Sequence, residues 1–235
     1  MRVAIVGGGA AGLVTAWLLE TDHQVTLYEK EDRLGGHAHT LNLEVAGEAV
    51  AIDAGFEFIS DTMFPVFMRF LKLLNAPVAP FAMLVTQYDT RSGDFRMLPP
   101  IHGRQIFWDA LTPRRSLDLL RFVCVLRAVR GIMNRRDSSV TVEQFIDRLP
   151  LSVRFKTEFM LPYLQAQWGV TTDDIKSFAV YDAARYSYLG FQQGLSANAW
   201  KEITGGTQTY VNLLAAALTQ TRIFIRAGIH SICRE

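Results

Sequence analysis

"MRVAIVGGGAAGLVTAWLLETDHQVTLYEKEDRLGGHAHT", residues 1–40, decides how this chain folds. Arg2 to Val6 is a short β-branched run that ends in glycine, the pattern of a buried parallel strand. Ala10 to Glu20, rich in alanine and leucine, reads as a helix, and Gln24 to Glu29 alternates as a second strand. Together they make one βαβ unit. Gly7, Gly9 and Gly12 fit the spacing G-x-G-x-x-G between strand and helix, and Glu29 closes the next strand 22 residues after Gly7. In that context Gly7 permits a tight turn, Gly9 lets the backbone approach a pyrophosphate, and Gly12 lets the helix lie close to the sheet. A carboxylate at Glu29 accepts hydrogen bonds from adenosine ribose hydroxyls and repels a 2′-phosphate, which disfavours NADP.

A second glycine pair, Gly35 and Gly36, follows the acidic strand end. One helix N-terminus stabilises an anion by about 0.3–1 kcal/mol, or ~2 kcal/mol when partly buried, whereas a diphosphate carries two charges. Arg33 is placed to add a charge-assisted hydrogen bond from the other side, about 1.5–3 kcal/mol. Gly35 and Gly36 let the backbone between Arg33 and Thr40 pass a ligand without side-chain obstruction, and Thr40 offers a hydroxyl. This exceeds what an NAD site needs. It suits a longer ligand that continues past the diphosphate.

Glu29, Arg33, Gly35, Gly36 and Thr40 spell E-x-x-x-R-x-G-G-x-x-x-T, which resembles the extended FAD signature of flavin-containing amine oxidases, phytoene desaturases and protoporphyrinogen oxidases. Asp53 and Gly55 resemble the D-x-G that follows in that superfamily. Trp200, Gly205, Gly206, Tyr210 and Val211 resemble its W-x-x-x-x-G-G-x-x-x-Y-V return to the FAD domain. The chain most resembles a bacterial subgroup of amine oxidase-like NAD/FAD-binding flavoproteins. The resemblance implies FAD as cofactor, held by Gly7, Gly9, Ala10, Ala11, Gly12, Glu29, Lys30, Arg33, Gly35, Gly36, His37 and Thr40. It implies hydride transfer from a substrate C–H to flavin N5.

His37 stands where many relatives have arginine, which weakens one cationic contact at neutral pH. His37 and His39 share a face of any local strand, yet two imidazoles without a third ligand make no metal site, so none is expected. Relatives run substantially longer. Their remaining part supplies another strand, the second wall of the substrate cavity and, in many amine oxidases, a lysine that holds a water near N5. No catalytic residue is therefore assigned. The expectation is a fragment, a truncated product or a reduced module, with a missing C-terminal portion as its natural partner.

Along the rest of the chain, Val50–Ile52 is a candidate third strand and Phe64–Leu74 a helix, after which "NAPVAP" marks a domain crossing. "MLVTQYD" and "DFRML" read as strands joined at "RSG"; Ser116 to Ser196 is mostly helical with stops near Gly131, Pro150 and Gly169. A loop and helix in "ITGGTQTYVNLLAAAL" and a strand in "RIFIRA" complete the order. The fold class is α/β: an incomplete Rossmann-like FAD/NAD(P)-binding domain, residues 1–76 and 203–235, with an inserted, mostly helical substrate domain, residues 77–202.

Composition limits the alternatives. With 235 residues, 49% apolar and 20% charged, this is an ordinary globular chain. A net charge of +1 gives no field to gather nucleic acid. Cys124 and Cys233 are too few for a disulfide framework. Neither a signal peptide nor a membrane-spanning run is read, so the expectation is a cytoplasmic protein without stable membrane insertion, acting on a small-molecule or lipid-like substrate. Residues 114–136 hold seven arginines against one aspartate; Arg114 and Arg121 fall nearly opposite Arg127 and Arg130, so the helix reads as packed on most faces rather than as a membrane-surface element. Trp168, Tyr181, Tyr186, Tyr188, Phe191 and Trp200 form an aromatic-rich stretch with two readings, the lining of a cavity beside a flavin ring and, favoured for most of them, ordinary core packing. Three functions remain: a flavin-dependent oxidoreductase of amine oxidase type, a non-catalytic FAD or dinucleotide-binding module, and an NAD-dependent dehydrogenase.

Overall fold

The βαβ unit forms from β1 (Arg2–Val6), α1 (Ala10–Leu19) and β2 (Gln24–Tyr28), with Arg2 opposite Gln24 and Val6 opposite Tyr28 in a parallel pair. Its apolar faces meet at Ile5, Leu13, Ala16, Val25 and Leu27, all buried. The computed structural model describes residues 1–81, 84–98, 100–102, 104–192 and 200–233. The chain divides into two units, Met1–Phe81 with Trp200–Glu235, and Ala82–Ala199.

In the first unit, β3 (Thr40–Val45) and β4 (Glu48–Asp53) form an antiparallel hairpin with Leu41 opposite Ile52 and Leu43 opposite Val50. Val50–Ile52 is thus a strand, but of this hairpin rather than of the parallel sheet. The turn hides the hairpin from the sequence, because Ala46 takes a left-handed φ of 54° that alanine seldom adopts. β5 (Phe58–Ile59) and α2 (Pro65–Leu73) follow, and within "NAPVAP" the chain enters β6 (Val78–Phe81).

The second unit opens with the hairpin of β7 (Val85–Tyr88) and β8 (Phe95–Leu98), whose turn is held by Asp89 accepting from the Arg91 N–H at 2.9 Å and the Ser92 hydroxyl at 2.8 Å. Short β9 (Ile101–His102) and β10 (Gln105–Ile106) lead through a 3-10 turn, Trp108–Leu111, into α3 (Pro113–Arg135). This helix runs straight through Gly131, where the sequence suggests a stop. A glycine costs a helix about 1 kcal/mol; burial of Val125, Leu126, Val129, Ile132 and Met133 on either side of it outweighs that cost. The helix ends instead at Arg136, in the left-handed region at φ 52°.

Beyond it lie α4 (Val142–Arg148) and α5 (Val153–Phe155), the latter continuing through a π-turn, Lys156–Met160, into α6 (Leu161–Trp168). Then come α7 (Thr172–Ser177), α8 (Val180–Ala183) and α9 (Arg185–Gln192). Capping boxes at Thr141 and Thr171 start α4 and α7, and Gly169 ends α6. The core of this unit is built on Phe155, Phe159, Ile175 and Val180. Tyr188 is buried in it; the Phe191 side chain lies outside the described residues.

Beneath that core sits an ionic node. Asp118, 1% exposed, receives Arg96 at 3.2 Å and both Arg121 and Arg154 at 3.0 Å. Burial pushes its carboxyl up, but the three guanidinium groups outweigh burial and hold it below the usual carboxylate range.

Returning to the first unit, β11 (Trp200–Ile203) lies antiparallel between β5 and β6, with Trp200 edge-on to Phe58 at 5.2 Å. After α10 (Gln208–Ala217), β12 (Arg222–Phe224) pairs parallel with β2, giving the sheet order β1-β2-β12. The third strand of the parallel sheet therefore comes from the far end of the chain.

Glu20 secures this return. Its buried carboxylate accepts from the N–H groups of Thr219, Gln220 and Thr221 at 3.2, 3.1 and 3.0 Å and from the Thr221 hydroxyl at 2.9 Å. Burial raises the pKa, the four donors more than offset it, and the result lies below the ordinary 4.5. A group whose folded-state pKa is depressed stabilises above its unfolded pKa and loses that contribution as pH falls through the folded value. We expect Glu20→Gln to lower stability by about 1–3 kcal/mol at pH 7, measured by urea denaturation, with the gap to wild type closing below pH 4.5.

Candidate functional site

The glycine loop after β1 turns at Gly7, whose φ of 101° excludes other residues and whose N–H donates to the Tyr28 carbonyl at 2.8 Å. A Cβ at Gly12 would collide with the Gly7 carbonyl oxygen, so α1 can lie this close to the strand only with glycine there. Gly9 differs. It is the N-cap of α1 with φ −73° and ψ 178°, open to any residue, and the nearest atom to a Cβ placed on it is 3.9 Å away. Neither backbone conformation nor protein packing demands glycine at this position. The N–H groups of Ala10, Ala11 and Gly12 point out of the helix start without intrahelical partners, no side chain caps them, and Ala10 and Ala11 are exposed.

Against this loop lies the strap Arg33–Thr40. The Gly35 N–H donates to the Gly8 carbonyl at 2.8 Å, Gly9 and Gly35 pair as a parallel bridge, and a Cβ on Gly36 would sit 3.2 Å from the Gly9 Cα. On its other side the strap meets α10, with Val211 Cγ2 3.3 Å from the Cβ position of Gly35. A Cβ at Gly55 would strike the His37 carbonyl, and Ala54 donates to the His39 carbonyl at 2.8 Å. The twin glycines thus bring the strap onto the first loop and the start of α1.

Two expected ligand contacts are engaged within the protein. The Thr40 hydroxyl donates to Asp53 at 2.6 Å and accepts from the Gln208 N–H at 2.9 Å, while Asp53 also accepts from the Thr207 N–H at 2.9 Å and hydroxyl at 2.8 Å. A Cβ at Gly206 would collide with Thr40. Thr40 therefore ties strap, hairpin and the start of α10 together, and the two distant sequence blocks meet at this knot. Arg33 donates to the carbonyls of Gly36 at 2.9 Å and Ala38 at 3.4 Å, bracing the strap from within. Three of its five N–H donors remain. His37 is exposed on the same strap. Among the described residues no three His, Cys, Asp or Glu side chains gather as a metal would need.

Glu29 is buried where β2 ends. Its carboxylate accepts from the Gly8 N–H at 2.5 Å and the Glu31 N–H at 2.9 Å. Burial pushes the carboxyl up, but these backbone donors outweigh it, so the pKa is lowered and the group is an anion at neutral pH. Lys30 beside it is exposed and pairs with Glu31 at 3.3 Å.

Residues 224–228 stand along the same acid. Glu29 donates its N–H to the Phe224 carbonyl and accepts at its own carbonyl from Ala227, both at 2.8 Å, and a Cβ on Gly228 would lie 3.5 Å from the Lys30 Cβ. Tyr28 and Phe224 stack at 5.6 Å. Sequence reasoning finds a strand in "RIFIRA" but no site residues, because the sheet order alone brings it beside Glu29.

Residues 5–74 match the family of NAD(P)-binding Rossmann-like domains. In fold the chain is similar to an oxidoreductase from Methanosarcina mazei, with a TM-score of 0.62 at 18% identity over 100% of this chain and 53% of that one. It is similar to cyclohexylamine oxidase from Brevibacterium oxydans IH-35A, with a TM-score of 0.64 at 17% identity over 94% and 50%. It is also similar to putrescine oxidase solved with putrescine bound, with a TM-score of 0.58 at 18% identity over 96% and 51%. The chain spans about half the length of these oxidoreductases. At such identities the likeness is one of fold, and it agrees with the α/β Rossmann-like architecture read from the sequence. Comparison with curated proteins gives no match.

Proposed function

We propose that this chain binds FAD and forms the nucleotide-binding part of a flavin-dependent oxidoreductase of amine oxidase type. The observation that carries this reading is Gly9: a glycine free of backbone and packing demands at the mouth of an uncapped helix start, which leaves room for a phosphate to approach the main chain. The N–H groups of Ala10, Ala11 and Gly12 would face the diphosphate. Glu29 would take the adenosine ribose hydroxyls, its charge rejecting a 2′-phosphate. The strap, held by Gly35, Gly36, Arg33 and Thr40, would wall the diphosphate opposite α1, with the spare Arg33 donors and His37 on its exposed edge.

Bound there, FAD would supply a two-electron hydride acceptor for the oxidation of a substrate C–H. The chain's own residues position the cofactor; no acid or base among them is assigned to chemistry. Amine oxidation is the favoured class because cyclohexylamine and putrescine oxidases share the fold.

Glu29→Ala tests the ribose contact. We expect FAD and ADP to bind about 10- to 100-fold more weakly, the loss of a charge-assisted hydrogen bond, by fluorescence titration, with riboflavin unaffected. The NAD reading, which the family description keeps in view, makes the opposite prediction: NADH would bind more tightly than FAD and Glu29→Ala would weaken NADH alone.

A further inference from the structure

We propose that α3 of the second unit docks on an anionic lipid bilayer, lying along its surface with a central apolar stripe inserted and arginines on both flanks. The sequence places Arg114 and Arg121 nearly opposite Arg127 and Arg130, which argues against a membrane face until the buried side is known. The structure fixes it. Asp118, Val125, Leu126, Val129, Ile132 and Met133 face the core. The outward stripe carries Leu117, 45% exposed, Leu120, 64% exposed, and the exposed Cys124 and Ala128. At 100° per residue the two arginine pairs then fall roughly 80° to either side of this stripe. Arg114 on one side and Arg127 and Arg130 on the other rim one exposed face, while Arg121 turns to the buried Asp118 and Arg135, in line with Leu117, closes the stripe at the helix end.

Charge and shape favour a bilayer. Residues 108–136 contain seven arginines against Asp109 and Asp118. Asp118 lies on the buried side, neutralised by Arg121 together with Arg96 and Arg154 from outside the helix. Among the described residues no ion pair joins Arg114, Arg127, Arg130 or Arg135. Trp108, 72% exposed, stands in the turn just before the helix, and tryptophan, leucine and arginine in this arrangement suit the headgroup boundary. A 23-residue helix gives a straight edge of about 34 Å. Among the described residues no helix is long and apolar enough to cross a membrane, so contact is with the surface.

The test is co-sedimentation of the full chain with vesicles of phosphatidylcholine alone or in equal mixture with phosphatidylglycerol. Binding to the mixed vesicles only, weakened by salt, is expected. Arg127→Gln with Arg130→Gln should weaken it roughly thirtyfold, at about fivefold per surface arginine. Leu117→Ser with Leu120→Ser should weaken it at least tenfold; circular dichroism should show both variants folded. Equal binding to both vesicle types, binding to neither, or a dimer in light scattering that the leucine variant dissociates would each overturn the proposal; the last would make the stripe an interface between copies.

Discussion

Asp118→Ala is expected to destabilise the helical unit by about 3–5 kcal/mol, enough to consume much of a domain's stability. The carboxylate is 1% exposed and Arg96 only 4%, so removing the acid leaves an interior guanidinium with Asp94 at 3.9 Å as its remaining anion, strips Arg121 of its partner and leaves Arg154 only Glu158 at 3.7 Å. The network also joins elements distant in sequence: Arg96 comes from β8, Arg154 from α5 and Asp118 from α3. Urea denaturation followed by circular dichroism gives the loss. A change under ~1 kcal/mol would mean that water already screens the node, as it does for surface pairs. Because the Asp118 pKa is depressed, its contribution holds at neutral pH and fades as pH falls through the folded-state value.

Gly9→Val should leave the fold intact while weakening FAD and ADP on the order of a hundredfold. The φ of −73° accepts valine and the Cβ position has 3.9 Å of clearance, so folding has little to lose. The added methyl groups would stand over the N–H groups of the α1 start and keep a phosphate from them. Each hydrogen bond to a charged group is worth about 1.5–3 kcal/mol, and losing even one or two gives this magnitude. Gly12→Val is the contrasting variant: it drives a side chain into the Gly7 carbonyl and should lose stability and binding together. If Gly9→Val bound FAD as wild type does, the open space at Gly9 would have no ligand to explain it.

Where chemistry and spacing coincide, the sequence is legible. The β-branched run, the three glycines and the acid at the next strand end specify β1, α1 and β2 nearly to the residue, because each is a local constraint. The strap is only half legible. Its glycines are needed, but they allow backbone to lie on backbone at Gly8, Gly9 and Ala38, and Thr40 and Arg33 turn out to hold protein atoms. Spacing tells which residues are near the site, not which partner takes each donor. The β3–β4 hairpin turns on an alanine in a conformation alanine seldom takes, and α3 passes a glycine whose local penalty burial outweighs. The wall beside Glu29 comes from residues 224–228, about 200 positions away, and only the order of strands in the sheet puts them there.

The central claim is that the start of α1 and the strap form one site for the diphosphate of FAD. Isothermal titration of the full chain with FAD, repeated with ADP present, tests it most directly. The account predicts one FAD per chain, displaced by ADP and not by FMN, and lost in Gly9→Val. A chain that is folded by circular dichroism yet takes up neither FAD nor ADP, or that prefers NADPH to FAD, would contradict it.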